Sequence, residues 1–402
     1  MEQWRKNLYT LWAAQLLIFI GMSFVMPFMP FYIQTLGVKD PASVARWSGL
    51  IFGIPFLFSS FFAPIWGTIG DLYGRKPMIL RAMFGASVVL TLMGFAKNVH
   101  QLFVLRALQG ILGGFVGPTM ALVTTSVPEE RLGASIGFLQ TSMIAGGIVG
   151  PFFGGILADM MGYRPLFRLT GLCAFLSALA VALLVEEERN LEAAQSSNYG
   201  LRDNIKFFFN SKELLTLAFT IFIMNFGIML VEPVLPLFIA SLGVKKTIVS
   251  TVTGAIFAST GFVNIFATPL WGRRADKKGY KNTLIICMLG ACLCYIPQAL
   301  VRNAYQLAFL RIILGIFSSG IPPSTQAIIA HNVPAERRGG VFGLTNSASL
   351  FANIIGPSTG GFLASIIGIR PSFLFTSACV FIAWVLARVI IKEPVRNMAQ
   401  AE

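Results

Sequence analysis

The chain has 402 residues, of which 55% are hydrophobic and only 12% charged. A water-soluble protein carries about twice that charged fraction, which excludes an ordinary soluble domain. The formal net charge of +14 lies in short loops between apolar runs, which argues for contact with an anionic lipid surface and against nucleic acid.

An apolar run of about 20 residues crosses a bilayer core of about 30 Å. Reading along the chain, such runs fall at 8–32, 46–66, 78–96, 99–124, 133–158 and 165–185, then at 213–240, 247–270, 281–301, 304–330, 339–367 and 371–391. They are apolar throughout and do not alternate, so they predict helices and not barrel strands. The first run is longer than the apolar core of a signal peptide and is expected to stay as the first helix. Glu186 to Lys212 is the long hydrophilic stretch, and it divides the chain into a six-helix half at 1–186, a cytoplasmic linker at 187–212 and a second six-helix half at 213–402. Within the linker, Leu201 to Phe209 has the pattern of an amphipathic helix lying on a membrane surface. With a cytoplasmic N-terminus, roughly two thirds of the 31 lysines and arginines fall on cytoplasmic segments. This predicts a multi-pass protein of the cell (inner) membrane with both termini in the cytoplasm.

The halves repeat one another at an offset of 205 or 206 residues. Met26-Pro-Phe-Met-Pro30 returns as Glu232-Pro-Val-Leu-Pro236, and Trp66-Gly67 with Asp71 and Gly74 as Trp271-Gly272 with Asp276 and Gly279. Arg106 returns as Arg311, Gly150-Pro151 with Gly154-Gly155 as Gly356-Pro357 with Gly360-Gly361, and Gly162 with Arg164 as Gly368 with Arg370. An even number of helices per repeat leaves both halves in one orientation, giving an all-α membrane protein of twelve helices in two parallel-related halves.

Four groups of residues carry chemistry. After the second run, Gly67, Asp71, Gly74, Arg75 and Lys76 make a glycine turn with one acid and two bases; an acid there can cap a helix N-terminus or pair with a base. Arg106 and Glu232 are charges inside apolar runs, which default to functional-site candidates because hydrocarbon penalises them. A purely structural arginine, bonded to backbone carbonyls, stays open as the alternative for Arg106. For Glu232 the alternative is a permanently protonated structural acid, or one that just reaches the outer interface. A carboxyl taken out of water favours its protonated form, so Glu232 suits proton uptake and release. Arg311 ranks lower because Leu314 stands where Arg106 has Gln109. Gly146, Gly150, Pro151, Gly154 and Gly155 on the fifth helix allow close helix packing. The five cysteines lie in apolar runs without metal-ligand spacing, and His100 and His331 fall near loop ends, so the residues indicate no catalytic constellation, metal or cofactor.

These motifs closely resemble signatures of the major facilitator superfamily: the helix-two-to-three loop (Gly67 to Pro77), the helix-four arginine (Arg106 to Gly110) and the helix-five GPxxGG (Gly150 to Gly155). The last is associated with antiporters, and the chain is similar to the drug:proton antiporter branch. The resemblance implies a proton-coupled exporter of lipophilic or amphipathic small molecules, working by alternating access as a monomer with the proton gradient as its energy source. It implies a conformational latch at Gly67, Asp71, Gly74, Arg75, Lys76 and Asp276, and proton coupling through Glu232 and Arg106. It also implies substrate contacts from Phe24, Phe28, Tyr32, Gln109, Met143, Asn225, Met229, Glu232, Phe257, Gln326 and Asn346. A dedicated exporter of one metabolite, sugar or siderophore stays open as an alternative, as does a proton-coupled uptake symporter.

Overall fold

The computed structural model describes residues 2–187, 201–334 and 337–393, with side chains at a few helical positions, Asp71 among them, outside the described set. Among the described residues, twelve helices are long and apolar enough to cross a membrane. They are Gln3–Thr35, Pro41–Gly70, Arg75–Met93, Val99–Ser126, Glu129–Met161 and Tyr163–Leu184, then Lys212–Ser241, Val249–Lys278, Tyr280–Gln298, Ala304–Asn332, Gly340–Ile367 and Ile369–Ile390, referred to below as spans 1 to 12. Large apolar side chains such as Phe61, Leu183, Phe266 and Val389 are exposed on their outer faces, a surface suited to lipid.

Side-chain caps fix several starts. Asp40 accepts the Ser43 N–H and hydroxyl at 2.9 and 2.6 Å, bonds that hold its carboxyl below the usual carboxylate range. Asn98 and Asn303 cap spans 4 and 10 in the same way, each accepting an N–H three residues on at 2.9 Å. The continuous helices expected for spans 1, 4, 7 and 10 are instead interrupted. Span 1 passes through a 3-10 turn at Met26–Phe28, and span 7 breaks between Val231 and Leu235. In both, proline removes a backbone donor and clashes with the preceding turn. Span 4 breaks between Leu112 and Val116, where Gly114 has φ +91°, and span 10 between Ser318 and Ile321 ahead of Pro322 and Pro323.

The chain forms two compact units that cut across the sequence halves. One is Met1–Gln195 with Pro233–Ala258, and the other is Ser196–Glu232 with Ser259–Glu402. In the first, span 1 packs against spans 5 and 6 around a core that includes Leu11, Ile18, Met29, Ile51 and Phe167. In the second, the helix Lys212–Val231 packs against spans 11 and 12. The repeat persists at atomic detail. Thr170 donates to the Gly21 carbonyl at 2.9 Å and Thr376 to that of Gly227 at 2.6 Å. Trp66 donates to Ile111 at 2.7 Å and Trp271 to Ile316 at 2.6 Å. The expected linker helix forms over Leu201–Asn210, with the Arg337 guanidinium 4.8 Å from the Phe207 ring centre; linker residues 188–200 lie outside the described set.

Candidate functional site

Glu232 stands where span 7 breaks. Ser211 caps the preceding helix, and the Glu232 N–H completes it by donating to the Ile228 carbonyl at 3.3 Å. Pro233 then ends the regular hydrogen-bond ladder. The carboxylate keeps about a quarter of its surface (26%), and Arg311 Nη1 lies 4.0 Å from its Oε2. Arg311 is buried, and among the described residues its Nε and Nη2 have no hydrogen-bond acceptor. Arg311, which lacks the neighbouring glutamine that favours Arg106 in the sequence, is the cation that stands beside the intramembrane acid.

Arg106 is built differently. Its Nε donates to the Ile51 carbonyl at 3.0 Å and its Nη1 to Gln109 Oε1 at 2.6 Å, with both side chains buried. Gln109, expected from the resemblance to meet substrate, therefore spends its amide oxygen on Arg106. Leu314 offers no such oxygen to Arg311, which leaves that guanidinium to the carboxylate.

The small-residue face of span 5 forms the expected close contact. A Cβ on Gly146 would stand 2.5 Å from Phe19 Cβ, one on Gly150 2.9 Å from the Ile20 carbonyl, and one on Gly154 2.6 Å from Phe24 Cα. Pro151 and Gly155 face the start of span 8, where Gly254 and Ser250 pack against them backbone to backbone. A further tie nearby went unseen in the sequence. Asp159 accepts the Ser250 and Thr251 N–H groups at 3.2 and 2.7 Å and the Thr251 hydroxyl at 2.7 Å.

At the glycine turn the Asp71 side chain lies outside the described residues, and the acid that caps the third span is Glu187. Its two oxygens accept the N–H groups of Arg75 and Lys76 at 2.6 and 2.9 Å, while Lys76 Nζ reaches the Ala182 carbonyl at 2.9 Å. Gly74 has φ +104°, and a Cβ there would stand 2.9 Å from a Glu187 oxygen, so glycine is required twice over. Gly67 has open space around it. In the second half Glu393 accepts from Tyr280 and Lys281 at 2.6 and 3.1 Å, and Asp276 accepts the Tyr280 hydroxyl at 3.0 Å. The repeat offset carries Glu187 onto Glu393, a signal that was available in the sequence.

The expected substrate contacts separate into groups. Phe24, Phe28 and Tyr32 are buried in the core of the first unit, and Tyr32 donates to the Met93 carbonyl at 2.6 Å and packs on Phe167. These three are packing residues, because the first unit closes over them. Met143, Met229 and Phe257 are half-buried. Asn225, Gln326 and Asn346 come together in the second unit, in a cavity of about 290 Å³ between spans 7, 10 and 11.

Comparison with known proteins gives one consistent result. The profile described as Major Facilitator Superfamily matches residues 11–263 and 217–402. Multidrug resistance protein MdtG of Proteus mirabilis (strain HI4320) is 35% identical over 98% of this chain and 98% of that protein. The protein of the same name from Klebsiella pneumoniae (strain 342) is 32% identical over 99% of this chain and 97% of its own length. A crystal structure of a bacterial homologue of the human lysosomal transporter Spinster superposes with a TM-score of 0.80 at 18% identity, covering 99% of both chains.

Proposed function

The chain belongs to the major facilitator superfamily, and from that premise we propose that it is a proton-driven exporter of lipophilic or amphipathic small molecules with broad drug specificity. Relatives named as multidrug resistance proteins align with it over nearly their whole length. In this reading the protein sits in the cell (inner) membrane with both termini in the cytoplasm. It acts as a monomer, performs no chemistry on its substrate and uses the proton gradient in place of any cofactor.

The observation that carries the coupling is the Glu232–Arg311 pair, a carboxylate inside a broken span with one arginine nitrogen at 4.0 Å. Cavity opening to the outside lets a proton reach Glu232 Oε2, which cancels the charge facing Arg311. Opening to the cytoplasm lets the proton leave and restores the ion pair. Each protonation state thus favours a different arrangement around the Pro233 break, and substrate moves outward as the proton moves inward.

Inverted membrane vesicles test this reading. With the lumen acidified, addition of unrelated lipophilic drugs should release luminal protons, read by recovery of a quenched pH dye, and Glu232→Gln should abolish that release while inserting normally. Normal drug-driven release by Glu232→Gln would overturn the role of Glu232. Silence of the wild type across the drug panel would favour a dedicated metabolite exporter.

A further inference from the structure

Span 4 is broken between Leu112 and Val116, and side chains from two other helices hold the carbonyl end of its first segment. Trp66, on span 2, donates its indole N–H to the Ile111 carbonyl at 2.7 Å. Arg81, on span 3, donates Nη2 to the Gly113 carbonyl at 3.0 Å, and its guanidinium lies 3.7 Å from the centre of the Trp66 ring. The last carbonyls of a helix have no partner within it and carry partial negative charge, so an arginine suits them as a cap. The bonds run on in series. The Gly113 N–H donates to the Gln109 carbonyl at 2.9 Å, and Gln109 Oε1 accepts from Arg106 at 2.6 Å. Arg81 is thereby tied to Arg106 through two residues of span 4, all within the first unit.

This cap is costly and incomplete. Arg81 stands six residues into span 3, about 9 Å along its axis, where a charge is penalised. Its Nε and Nη1 are shut away from solvent and, among the described residues, have no acceptor. A fixed strut would spend those donors, because each buried one left over costs free energy. Spare donors on a guanidinium fork serve where the acceptor moves: as one carbonyl of the break turns away, another takes its place. The second repeat lacks this arginine. At the offset of 205, Ile286 stands in place of Arg81 and Ser318 in place of Gly113. Trp271 keeps its bond to Ile316 at 2.6 Å, but the added cap is local, with the Ser319 hydroxyl donating to the same carbonyl at 2.8 Å.

We propose that Arg81 is a positioning residue: it holds the break of span 4 through the transport cycle and so keeps Arg106 and Gln109 in register while the helix moves. The part that concerns the cycle rests on the exporter reading above; the part that concerns the break does not. Because Arg81 acts through span 4 and not on the drug, its loss should slow turnover and leave drug affinity alone.

Hydrogen–deuterium exchange of the full chain in nanodiscs tests the break, and the vesicle assay tests the cycle. Arg81→Met keeps the length of the side chain and removes a desolvated charge, so it should fold. Its amides over residues 109–117 should exchange about tenfold faster than in the wild type, while those over 314–322 stay within about twofold. With the panel drug that the wild type exports fastest, maximal proton release should fall about fivefold, at a half-saturating drug concentration within about twofold of the wild type. Arg81→Lys should recover part of both losses. Trp66→Phe, which keeps a ring for the guanidinium but loses the Ile111 bond, should loosen residues 109–117 by a smaller factor. Four results would overturn the positioning role: unchanged exchange over 109–117 in Arg81→Met, an equal rise at both breaks, no recovery by lysine, or a raised half-saturating concentration at unchanged maximal rate. Should Arg81→Met fail to fold, Trp66→Phe decides, and unchanged exchange over 109–117 in that variant would overturn the role. Silence of the wild type toward every drug, with exchange as expected, would sink the export reading and leave the hold of Arg81 on the break standing.

Discussion

The Glu187 carboxylate sits on the N-terminus of span 3, with Oε1 2.6 Å from the Arg75 backbone nitrogen, and Glu393 stands in the same relation to Tyr280 one repeat later. A helix N-terminus leaves N–H groups without intrahelical partners and carries partial positive charge, so an acid from the segment that follows another helix satisfies both at once. Glu187→Ala and Glu393→Ala are each expected to cost about 1–2 kcal/mol, read as a lower midpoint in thermal unfolding of detergent-purified protein. The glutamine variants, which keep an acceptor without the charge, should recover part of the loss. The two caps share no partner, so the double variant should show the sum of the single effects.

The glycine face of span 5 makes a sharper comparison, because neighbouring glycines differ in what surrounds them. A Cβ on Gly154 would lie 2.6 Å from both the Cα and the carbonyl oxygen of Phe24, whereas one on Gly147 would meet nothing within 4 Å. Gly154→Ala must push spans 1 and 5 apart and is expected to cost about 1–3 kcal/mol. Gly147→Ala should be neutral or gain up to about 1 kcal/mol from helix propensity. Folded yield on size-exclusion chromatography and the unfolding midpoint would separate them, and equal losses would refute the packing account.

These contrasts also explain how far the sequence could be read. Spans and repeat follow from the residues along the chain, so they were legible, and Glu232 stood out because an acid in an apolar run is rare. Arg311 did not, since its importance comes from a neighbour on another helix 79 positions away. Glu187 opens the polar stretch that reads as linker, although its repeat partner Glu393 is there to be matched. Apolar runs gave no way to tell a wall from a core. Phe28 and Tyr32 therefore looked equivalent to Met143 and Met229 until packing buried the first pair. Asn225, Gln326 and Asn346 were each visible as polar points, but only tertiary structure gathers them into one cavity.

The two repeat-related arginines predict opposite responses to losing a neighbour. Arg106 is buried and held by Gln109, so Gln109→Leu strands a guanidinium nitrogen in the core and should cost about 1–3 kcal/mol. Arg106→Met with Gln109→Leu removes both partners and should restore part of that stability. Arg311→Met, by contrast, leaves Glu232 without its cation. It is expected to abolish drug-driven proton release in vesicles, and the pair Glu232→Gln with Arg311→Met should recover folding but not coupling. Coupled transport by the neutral pair would show that this ion pair carries no protons.

Asp159 explains why the compact units do not follow the sequence halves. It stands near the end of span 5 and grips the first turn of span 8 through two backbone N–H groups and the Thr251 hydroxyl. Tyr163 Oη adds a 3.0 Å contact to Ser250 Oγ from the start of span 6. Pro233–Ala258 is thereby bound to the first unit although it belongs to the second repeat. Charge-assisted bonds of this kind are stronger than neutral ones. Asp159→Ala is therefore expected to cost about 1.5–3 kcal/mol, whereas Thr251→Val removes one of the three bonds and should cost about 1 kcal/mol. A double-mutant cycle on unfolding midpoints isolates the hydroxyl bond: Asp159→Ala with Thr251→Val should fall short of the sum by about 0.5–1.5 kcal/mol. Strict additivity would mean that the hydroxyl contributes nothing beyond the backbone cap, and the grip would then rest on the two N–H groups alone.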